Sequence, residues 1–443
     1  MNIFALSTGR GPSGIAILRL SGKDSLQISK LITKKNDLKS KEVNLCKFYD
    51  PSNGKMIDEG LLLWSPGPNS YTGEDLAEFH THGSNAVVSC FLRVLGEQEN
   101  CRLAEPGEFT KLAFQNNKMD LIEAESIGDL IHAETELQRQ QAIKLIQGNA
   151  SNHYNSLREK LVKSLSYIEA KIDFAEDDLP ENVLKEVQAS IKHVHKDIKQ
   201  ILEDQKIGEK IRDGFRISII GDVNAGKSSL LNLLSKREAA IVSEQEGTTR
   251  DVIETYLNID GYPVILADTA GIRKVKNKIE KEGIKRAINK AKDADLTLVM
   301  IDVSKKTINK DLKKLINEDC ILVFNKSDLS KKTPKNEFKK NDQILISVKN
   351  NKNIDSLIKT IKKKLSKKFM KANNILVTRE RHRAKLNAAL KEIENFLKKD
   401  QKKEIETAAE DLRLATRHLG GIVGKVDVEE ILGSIFQDFC IGK

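Results

Sequence analysis

The segment Gly221-Asp222-Val223-Asn224-Ala225-Gly226-Lys227-Ser228 constrains the fold of this chain more than any other. It fits G-x-x-x-x-G-K-[ST], follows the apolar run RISII (216–220) and precedes SLLNLLSK (229–236), whose leucines have helical spacing. A strand, a glycine-rich turn and a helix start leave backbone N–H groups unpaired, and phosphate oxygens fit among them. Lys227 is expected to reach the β- and γ-phosphates and Ser228 to ligate Mg²⁺. Such a loop needs a buried sheet behind it. VILAD (264–268), LTLVMID (296–302), CILVFNK (320–326) and QILIS (343–347) supply short apolar strands, separated by polar or helical stretches up to about Lys371. That pattern predicts a mostly parallel sheet covered by helices.

Three further pieces follow in order. Gly247-Thr248-Thr249-Arg250-Asp251 offers hydroxyls that can close on a γ-phosphate and Mg²⁺. Asp268-Thr269-Ala270-Gly271 ends a strand, with a carboxylate for the metal side and a glycine N–H for the γ-phosphate. Asn325-Lys326-Ser327-Asp328 ends another. An aspartate accepts from both N1–H and N2–H₂ of guanine, and adenine has no matching donor pair. The four elements together predict guanine nucleotide binding. In the translation-factor class of P-loop GTPases, which this segment resembles, a fifth element usually reads Ser-Ala-Lys. Here it is Ser347-Val348-Lys349.

Small signalling GTPases place a Gln directly after the D-x-x-G glycine to orient water. This chain has Ile272, which cannot do so. Glu280 is the favoured substitute, with Asp251 behind it. Asn224 offers an amide oxygen that either coordinates a monovalent cation such as K⁺ beside the phosphates or only shapes the loop.

The flanks differ in kind. At 443 residues the chain has room for about two to four domains. Residues 1–117 mix the strands GIAILRL (14–20) and GLLLWS (60–65) with loops such as PGPNSYTGED (66–75), an α/β pattern. Helical spacing follows at Leu157, Leu161, Leu165, Ile168 and Ile172, and at Ile191, Val194, Ile198 and Ile201. It returns after Asn373 at Leu386, Leu390, Ile393 and Leu397, and at Ile431, Leu432, Ile435 and Phe439. Helices on both sides of an α/β segment read as a helical domain with a second domain inserted. The expected division is 1–117, an α/β domain; 118–212 plus 373–443, a discontinuous helical domain; and 213–372, the nucleotide domain.

Charge says less than it first suggests. The net +10 concentrates between Lys331 and Lys371, where 14 lysines meet three acidic residues, and the rest is nearly neutral. With few aromatic residues interleaved, a solvated lysine face is the plainer reading than a nucleic-acid patch. No run of ~18 apolar residues predicts a membrane span, and the N-terminus lacks the pattern of a secretory signal. Five widely spaced cysteines exclude a disulfide scaffold and fit a reducing cytoplasm.

NAGKSS, GTTRD, DTAGIR and NKSD, with GRGPSGIAILRLSG (9–22), PGPNSYTGEDLAEFHTHG (66–83), PGEFTKLAFQNNKMDLIEAESI (106–127) and the ending FCIGK (439–443), closely resemble the MnmE (TrmE) family of tRNA modification GTPases, in the TrmE-Era-like P-loop group. The resemblance spans essentially the whole chain. It implies an N-terminal domain that binds a tetrahydrofolate one-carbon carrier (5,10-methylenetetrahydrofolate, or the 5-formyl analogue) and dimerises. It implies a helical domain split by a Ras-like GTPase domain, and a homodimer that works with the flavoprotein MnmG. With that partner the family modifies the wobble uridine of certain tRNAs at C5, installing an aminomethyl-type (carboxymethylaminomethyl) group, while GTP hydrolysis drives K⁺-dependent dimerisation of the G domains.

Carried over by motif, the GTP-binding residues would be Asn224, Ala225, Gly226, Lys227, Ser228 and Ser229; Ser243, Glu244, Gln245, Glu246, Gly247, Thr248 and Thr249; Asp268, Thr269, Ala270 and Gly271; and Asn325, Lys326, Asp328 and Ser347. Ser228 and Thr249 would bind Mg²⁺. Asn224, Ser243, Gln245 and Thr248 would bind K⁺. Glu280 would orient the attacking water through a bridging water. Arg19, Glu78, Lys118 and Lys443 would form the folate site, a carboxylate for the pteridine and cations for the glutamate tail. Cys440 becomes a candidate functional thiol. Its C-I-G-K context fits prenylation poorly. His80 and His82 share a strand face but have no third zinc ligand near in sequence. The competing reading is a ribosome-assembly GTPase of the Era-like group. A folate-binding module with a vestigial G domain is disfavoured by the intact Lys227, Ser228, Asp268 and Asp328.

Overall fold

The computed structural model describes residues 1–173, 182–237, 254–267, 294–305, 307–330, 338–369, 375–400 and 403–426, together with Leu432, Ile435, Phe436, Phe439 and Gly442. They divide into Met1–Gly128 with Leu145–Val183 and Lys399–Lys443, and Asp129–Lys144 with Leu184–Lys398.

Period-two alternation builds the sheet of the first unit. Strands β1 (Asn2–Leu6), β2 (Ser13–Ser21), β3 (Val43–Tyr49), β4 (Met56–Ser65), β5 (Leu76–Gly83) and β6 (Cys101–Leu103) pair in the order β3-β4-β5-β2-β1-β6. Neighbours are antiparallel except β1 and β6. In β2, Ala16, Leu18 and Leu20 face the core while Ile17 and Arg19 face the other way. Leu18, Leu20, Phe48, Leu62, Phe79 and Phe91 form that core under helices α1 (Ser25–Thr33) and α2 (Asn85–Gly96). Ser84 caps α2 by accepting from the Val87 N–H. The predicted strands at 14–20 and 60–65 lie within β2 and β4, and PGPNSYTGED is the loop between β4 and β5.

Helices α3 (Glu108–Gln115) and α4 (Leu121–Ile131) receive the C-terminal segment. Leu432, Phe436 and Phe439 pack with Leu121 and Ala124. Two glycines make room. A Cβ on Gly128 would lie 3.1 Å from the Phe439 ring, and one on Gly107, at φ 68°, 2.7 Å from the Phe436 carbonyl. In the same unit α6 (Asn149–Asp173) packs on α13 (Ile405–Val423), each with one buried face at helical spacing.

The second unit holds β7 (Phe215–Gly221), β8 (Glu254–Ile259), β9 (Tyr262–Ala267), β10 (Leu296–Asp302), β11 (Cys320–Asn325) and β12 (Asp342–Leu345), in the order β12-β11-β10-β7-β9-β8. All neighbours are parallel except β8 and β9. Every residue of β10 and β11 is buried, as expected for a sheet covered on both faces. Helices α9 (Lys227–Arg237) and α11 (Ile354–Phe369) cover one face through Leu230, Leu234, Leu357, Ile361 and Leu365. The short α10 (Lys310–Lys313) follows β10. Helices α5 (Glu136–Ile146), α7 (Asn182–Leu202), α8 (Ile207–Asp213) and α12 (Glu380–Lys398) complete the unit. Gln141 in α5 donates to the Gly208 carbonyl, and Arg383 in α12 is buried against Glu209 and Asp204. The mostly parallel sheet agrees with the sequence expectation. β8 was not expected. Its signal was the Asp260-Gly261 turn, both residues at positive φ, which closes a tight hairpin with β9.

Candidate functional site

Sheet order fixes where chemistry can occur. β7 lies between β10 and β9, so the connections leave it in opposite directions. A crevice opens at such a switch point, beyond the C-terminal strand ends. The 221–226 loop follows β7, Asp302 ends β10 and Asn325 ends β11.

The phosphate loop has the backbone its sequence requires. Gly221 (φ 155°) lies so close to β10 that a Cβ would sit 2.4 Å from the Met300 carbonyl oxygen. At Gly226 (φ 100°) a Cβ would meet the Asn325 amide nitrogen at 2.3 Å. Asn224 is left-handed at φ 61° and exposed, and its amide bonds to none of the described residues. Ala225 is buried, whereas Ser228 and Ser229 are exposed at the start of α9. Lys227 Nζ folds back to donate to the carbonyls of Gly221 and Asp222 at 2.8 and 2.9 Å.

Asn325 ties this loop to the guanine-side loop. Its Nδ2 donates to the Ala225 carbonyl at 2.9 Å, and its Oδ1 accepts from the Val348 N–H at 3.1 Å. Ser347 is buried and donates through Oγ to Asp328 Oδ1 at 2.6 Å. That hydroxyl holds the Asp328 carboxyl below the usual carboxylate range, with help from Lys349 and Lys326. The Val at 348 is accommodated, because its contact is through the backbone.

Two supports were not read from sequence. Asp302 accepts from Lys326 Nζ at 2.6 Å and from the Ser304 hydroxyl at 2.7 Å. Burial pushes its pKa up, but these partners outweigh that and keep it ionised. Its place at the end of LTLVMID was the available signal. Asp222 is clamped by Lys305 Nζ at 2.9 Å and Asn309 Nδ2 at 3.1 Å. Ser243, Glu244, Gln245, Glu246, Gly247, Thr248, Thr249, Asp251, Asp268, Thr269, Ala270, Gly271, Ile272, Glu280, Cys440 and Lys443 lie outside the described residues.

The first unit brings Arg19 and Glu78 together across the β2–β5 ladder. Arg19 Nε and Nη2 donate to Glu78 Oε1 at 3.0 and 2.7 Å. The guanidinium also lies 5.1 and 5.5 Å from the ring centres of Tyr71 and Phe109. Burial pushes the Tyr71 phenol up, and its oxygen is 2.8 Å from the Thr110 hydroxyl. The chain's end returns here: the Gly442 carbonyl accepts from the Ser7 hydroxyl at 2.8 Å and from Arg19 at 3.5 Å. Lys118 Nζ donates to the Pro68 carbonyl, so it braces the 66–75 loop that carries Tyr71. Sequence reasoning missed Ser7, Tyr71 and Phe109.

Register extends this face sideways. Val43, Leu63, Glu78 and Arg19 form one row across four strands, and Leu45, Leu61, His80 and Ile17 the next. Val43, Leu45 and Leu61 are 67, 62 and 40 % exposed, an apolar patch beside a polar pair. His82 is paired with Asp58, and no cluster of three metal-ligating side chains occurs among the described residues.

Comparison with known proteins meets this geometry at both ends of the chain. A family model for the N-terminus of the GTP-binding protein TrmE matches residues 2–118, and one for the MnmE helical domain matches 121–440. The tRNA modification GTPase MnmE of Pelagibacter ubique is 58 % identical over 443 residues, covering all of both chains. The chain belongs to the MnmE family of tRNA modification GTPases. The MnmE proteins of Rickettsia bellii and Parvibaculum lavamentivorans are 44 and 43 % identical, each over 100 % of this chain and 99 % of its own. The solved structure of Aquifex aeolicus Era shares 26 % identity over 40 % of this chain and 66 % of its own, at a TM-score of 0.25, and adds nothing to the assignment. Membership in the MnmE family decides against the ribosome-assembly reading and agrees with the α/β and helical composition described above.

Proposed function

We propose that this protein is a K⁺-dependent, GTP-hydrolysing tRNA modification enzyme. With the flavoprotein MnmG it uses a tetrahydrofolate one-carbon unit to install a carboxymethylaminomethyl-type group at C5 of the wobble uridine. The observation that carries the GTP part is the Asn325 bridge, which holds the phosphate loop and the guanine-side loop in one frame. The tRNA part rests on family membership. The domain plan we adopt has the strand–helix segment from β7 to α11 inserted between α8 and α12.

On GTP binding, Lys227 exchanges the two loop carbonyls for β- and γ-phosphate oxygens, and the N-terminal N–H groups of α9 face the same charge. Asp328 accepts from guanine N1–H and N2–H₂. Glu280 orients the attacking water, a task Ile272 cannot perform. Water oxygen bonds to the γ-phosphorus, the bond to the β–γ bridging oxygen breaks, and the charge passes to GDP. Ser228 and Thr249 are the residues that would hold Mg²⁺. Asn224, whose amide engages no described residue, fits a K⁺ site with Ser243, Gln245 and Thr248. Both cations supply positive charge beside the phosphates.

For the one-carbon carrier, Arg19, Glu78, Lys118 and Lys443 are the candidate ligands. The ion pair over two aromatic rings, reached by the chain's C-terminal end, supports this placement. The carrier supplies a carbon at the formaldehyde or formate level, and Cys440 is the thiol nearest in sequence. The Val43–Leu45–Leu61 patch supports a homodimer through the N-terminal sheet. No described helix is long and apolar enough to cross a membrane. We place the protein in the cytoplasm, with its free thiols.

The test is reconstitution: GTP turnover in K⁺ against Na⁺ at matched ionic strength, and tRNA modification with MnmG, with and without 5,10-methylenetetrahydrofolate. The reading expects faster turnover in K⁺ and modification only with folate. Equal rates in both salts remove the K⁺ role, and folate-independent modification removes the carrier.

A further inference from the structure

The lysine-rich segment changes meaning once its helix is placed. α11 carries six lysines and one acidic residue, Asp355. Its core face is Ile354, Leu357, Ile358, Ile361 and Leu365. The lysines on its flanks are matched: Lys362 pairs with Asp260, Lys364 with Asp342 at 3.4 Å, and Lys368 with Asp319 at 2.8 Å. Asp355 is matched by Arg237. Lys359, Lys363 and Lys367 remain. They recur every four residues on the side opposite the core, all are exposed, and their ammonium groups make no ion pair among the described residues. At 1.5 Å rise per residue they place one positive charge per ~6 Å along a straight line.

We infer that this crest is a docking strip for the phosphate backbone of tRNA. The claim rests on the tRNA reading above and adds a surface to it. Net charge alone cannot separate a solvated face from a binding face, but the arrangement does. Flank lysines sit against carboxylates, whereas the crest is a row of cations that meets no carboxylate among the described residues. Ser356 lies just ahead of this row and Ser366 within it, on the same side. Such a row contacts backbone phosphates without reading base edges, so it positions a nucleic acid and does not select its sequence. The helix begins seven residues after Ser347 of the guanine-side loop, which places the strip on the nucleotide-binding unit itself.

The experiment is a titration of the full-length protein with bulk tRNA at several salt concentrations. Lys359, Lys363 and Lys367 are changed together to Gln. A control changes Lys192, Lys196 and Lys199 of α7, exposed lysines of the same unit, and so removes the same net charge. GTP hydrolysis without tRNA, unchanged in both, reports folding. We expect the crest variant to bind tRNA about tenfold more weakly near physiological salt and to lose about two to three from the slope of log K against log salt, with the control close to wild type. Wild-type affinity and slope in the crest variant overturn the docking strip while leaving the tRNA reading intact. Equal losses in both triples overturn it in favour of a diffuse charge effect. Retained tRNA binding with lost binding to phosphatidylserine vesicles overturns it in favour of a membrane surface. No tRNA binding by wild type overturns strip and substrate reading together.

Discussion

On the proposed function, single side chains decide how firmly guanine is held: Asp328 would supply the specificity, and Ser347 holds its carboxylate by a hydrogen bond of 2.6 Å. Replacing Ser347 with Ala removes that donor, so the Asp328 pKa rises toward its unfolded value. The group's depressed pKa favours the charged, guanine-binding form above it, and that form is lost as pH falls through it. Ser347→Ala should therefore move the acid limb of GDP affinity to higher pH; at neutral pH, where Asp328 is charged either way, loss of its orienting donor should weaken binding roughly three- to tenfold. A GDP titration across pH checks this, and an unmoved limb contradicts it. Asp328→Asn should lower GDP affinity and favour xanthine nucleotides, because the amide offers a donor where xanthine has a carbonyl. Competition between GDP and XDP reads that switch. These residues were legible from sequence because motif spacing dictates them. Asp302 was not, because its role as the partner of Lys326 comes from two strand ends meeting in space.

Elements hold these side chains through a few contacts that tolerate no added atom. Gly226 needs φ 100°, and a Cβ there collides with the Asn325 amide. Gly226→Ala should break the Asn325–Ala225 bond and lower GTP and GDP affinity at least ~100-fold, with the fold retained by circular dichroism. Affinity within a few-fold of wild type would refute the role given to the bridge. Among the helices, Arg383 is 8 % exposed and joins α12 to α8 through Glu209 and to the preceding turn through Asp204. Breaking a buried pair by removing one partner costs about 3–5 kcal/mol. Arg383→Ala should thus lower the unfolding free energy clearly in a denaturant titration, whereas Arg413→Ala, which removes two exposed pairs to Glu169 and Glu410, should change it by less than ~1 kcal/mol. Strands and helices with clean periods, β2, β10, β11, α6 and α12, were readable. β8 and β6 were not: one is an edge strand revealed mainly by its turn, the other three residues long.

At the scale of the molecule, two chemistries must be joined: a phosphate loop on one unit, and an ion pair approached by the chain's last residues on the other. The sequence placed Arg19, Glu78 and the C-terminus in one site only through family resemblance, since Glu78 is 59 residues from Arg19 and Gly442 is 423. The structure brings Gly442 to Ser7 and Arg19 because Gly107 and Gly128 admit the C-terminal phenylalanines. The exposed Val43, Leu45 and Leu61 beside that site should lie against a second copy. Leu45→Asp, which places a charge in the middle of this exposed apolar patch, should shift the protein toward monomer in sedimentation while leaving basal GTP hydrolysis within about twofold. An unchanged dimer would place the interface elsewhere. The central claim is that GTP hydrolysis at this phosphate loop serves tRNA modification. Its most direct test is nucleoside mass spectrometry of tRNA from cells lacking the protein, supplied with wild type or with Lys227→Ala. Wild type should restore the C5-modified wobble uridine and Lys227→Ala should not; full modification by Lys227→Ala, or none by wild type, would refute the link.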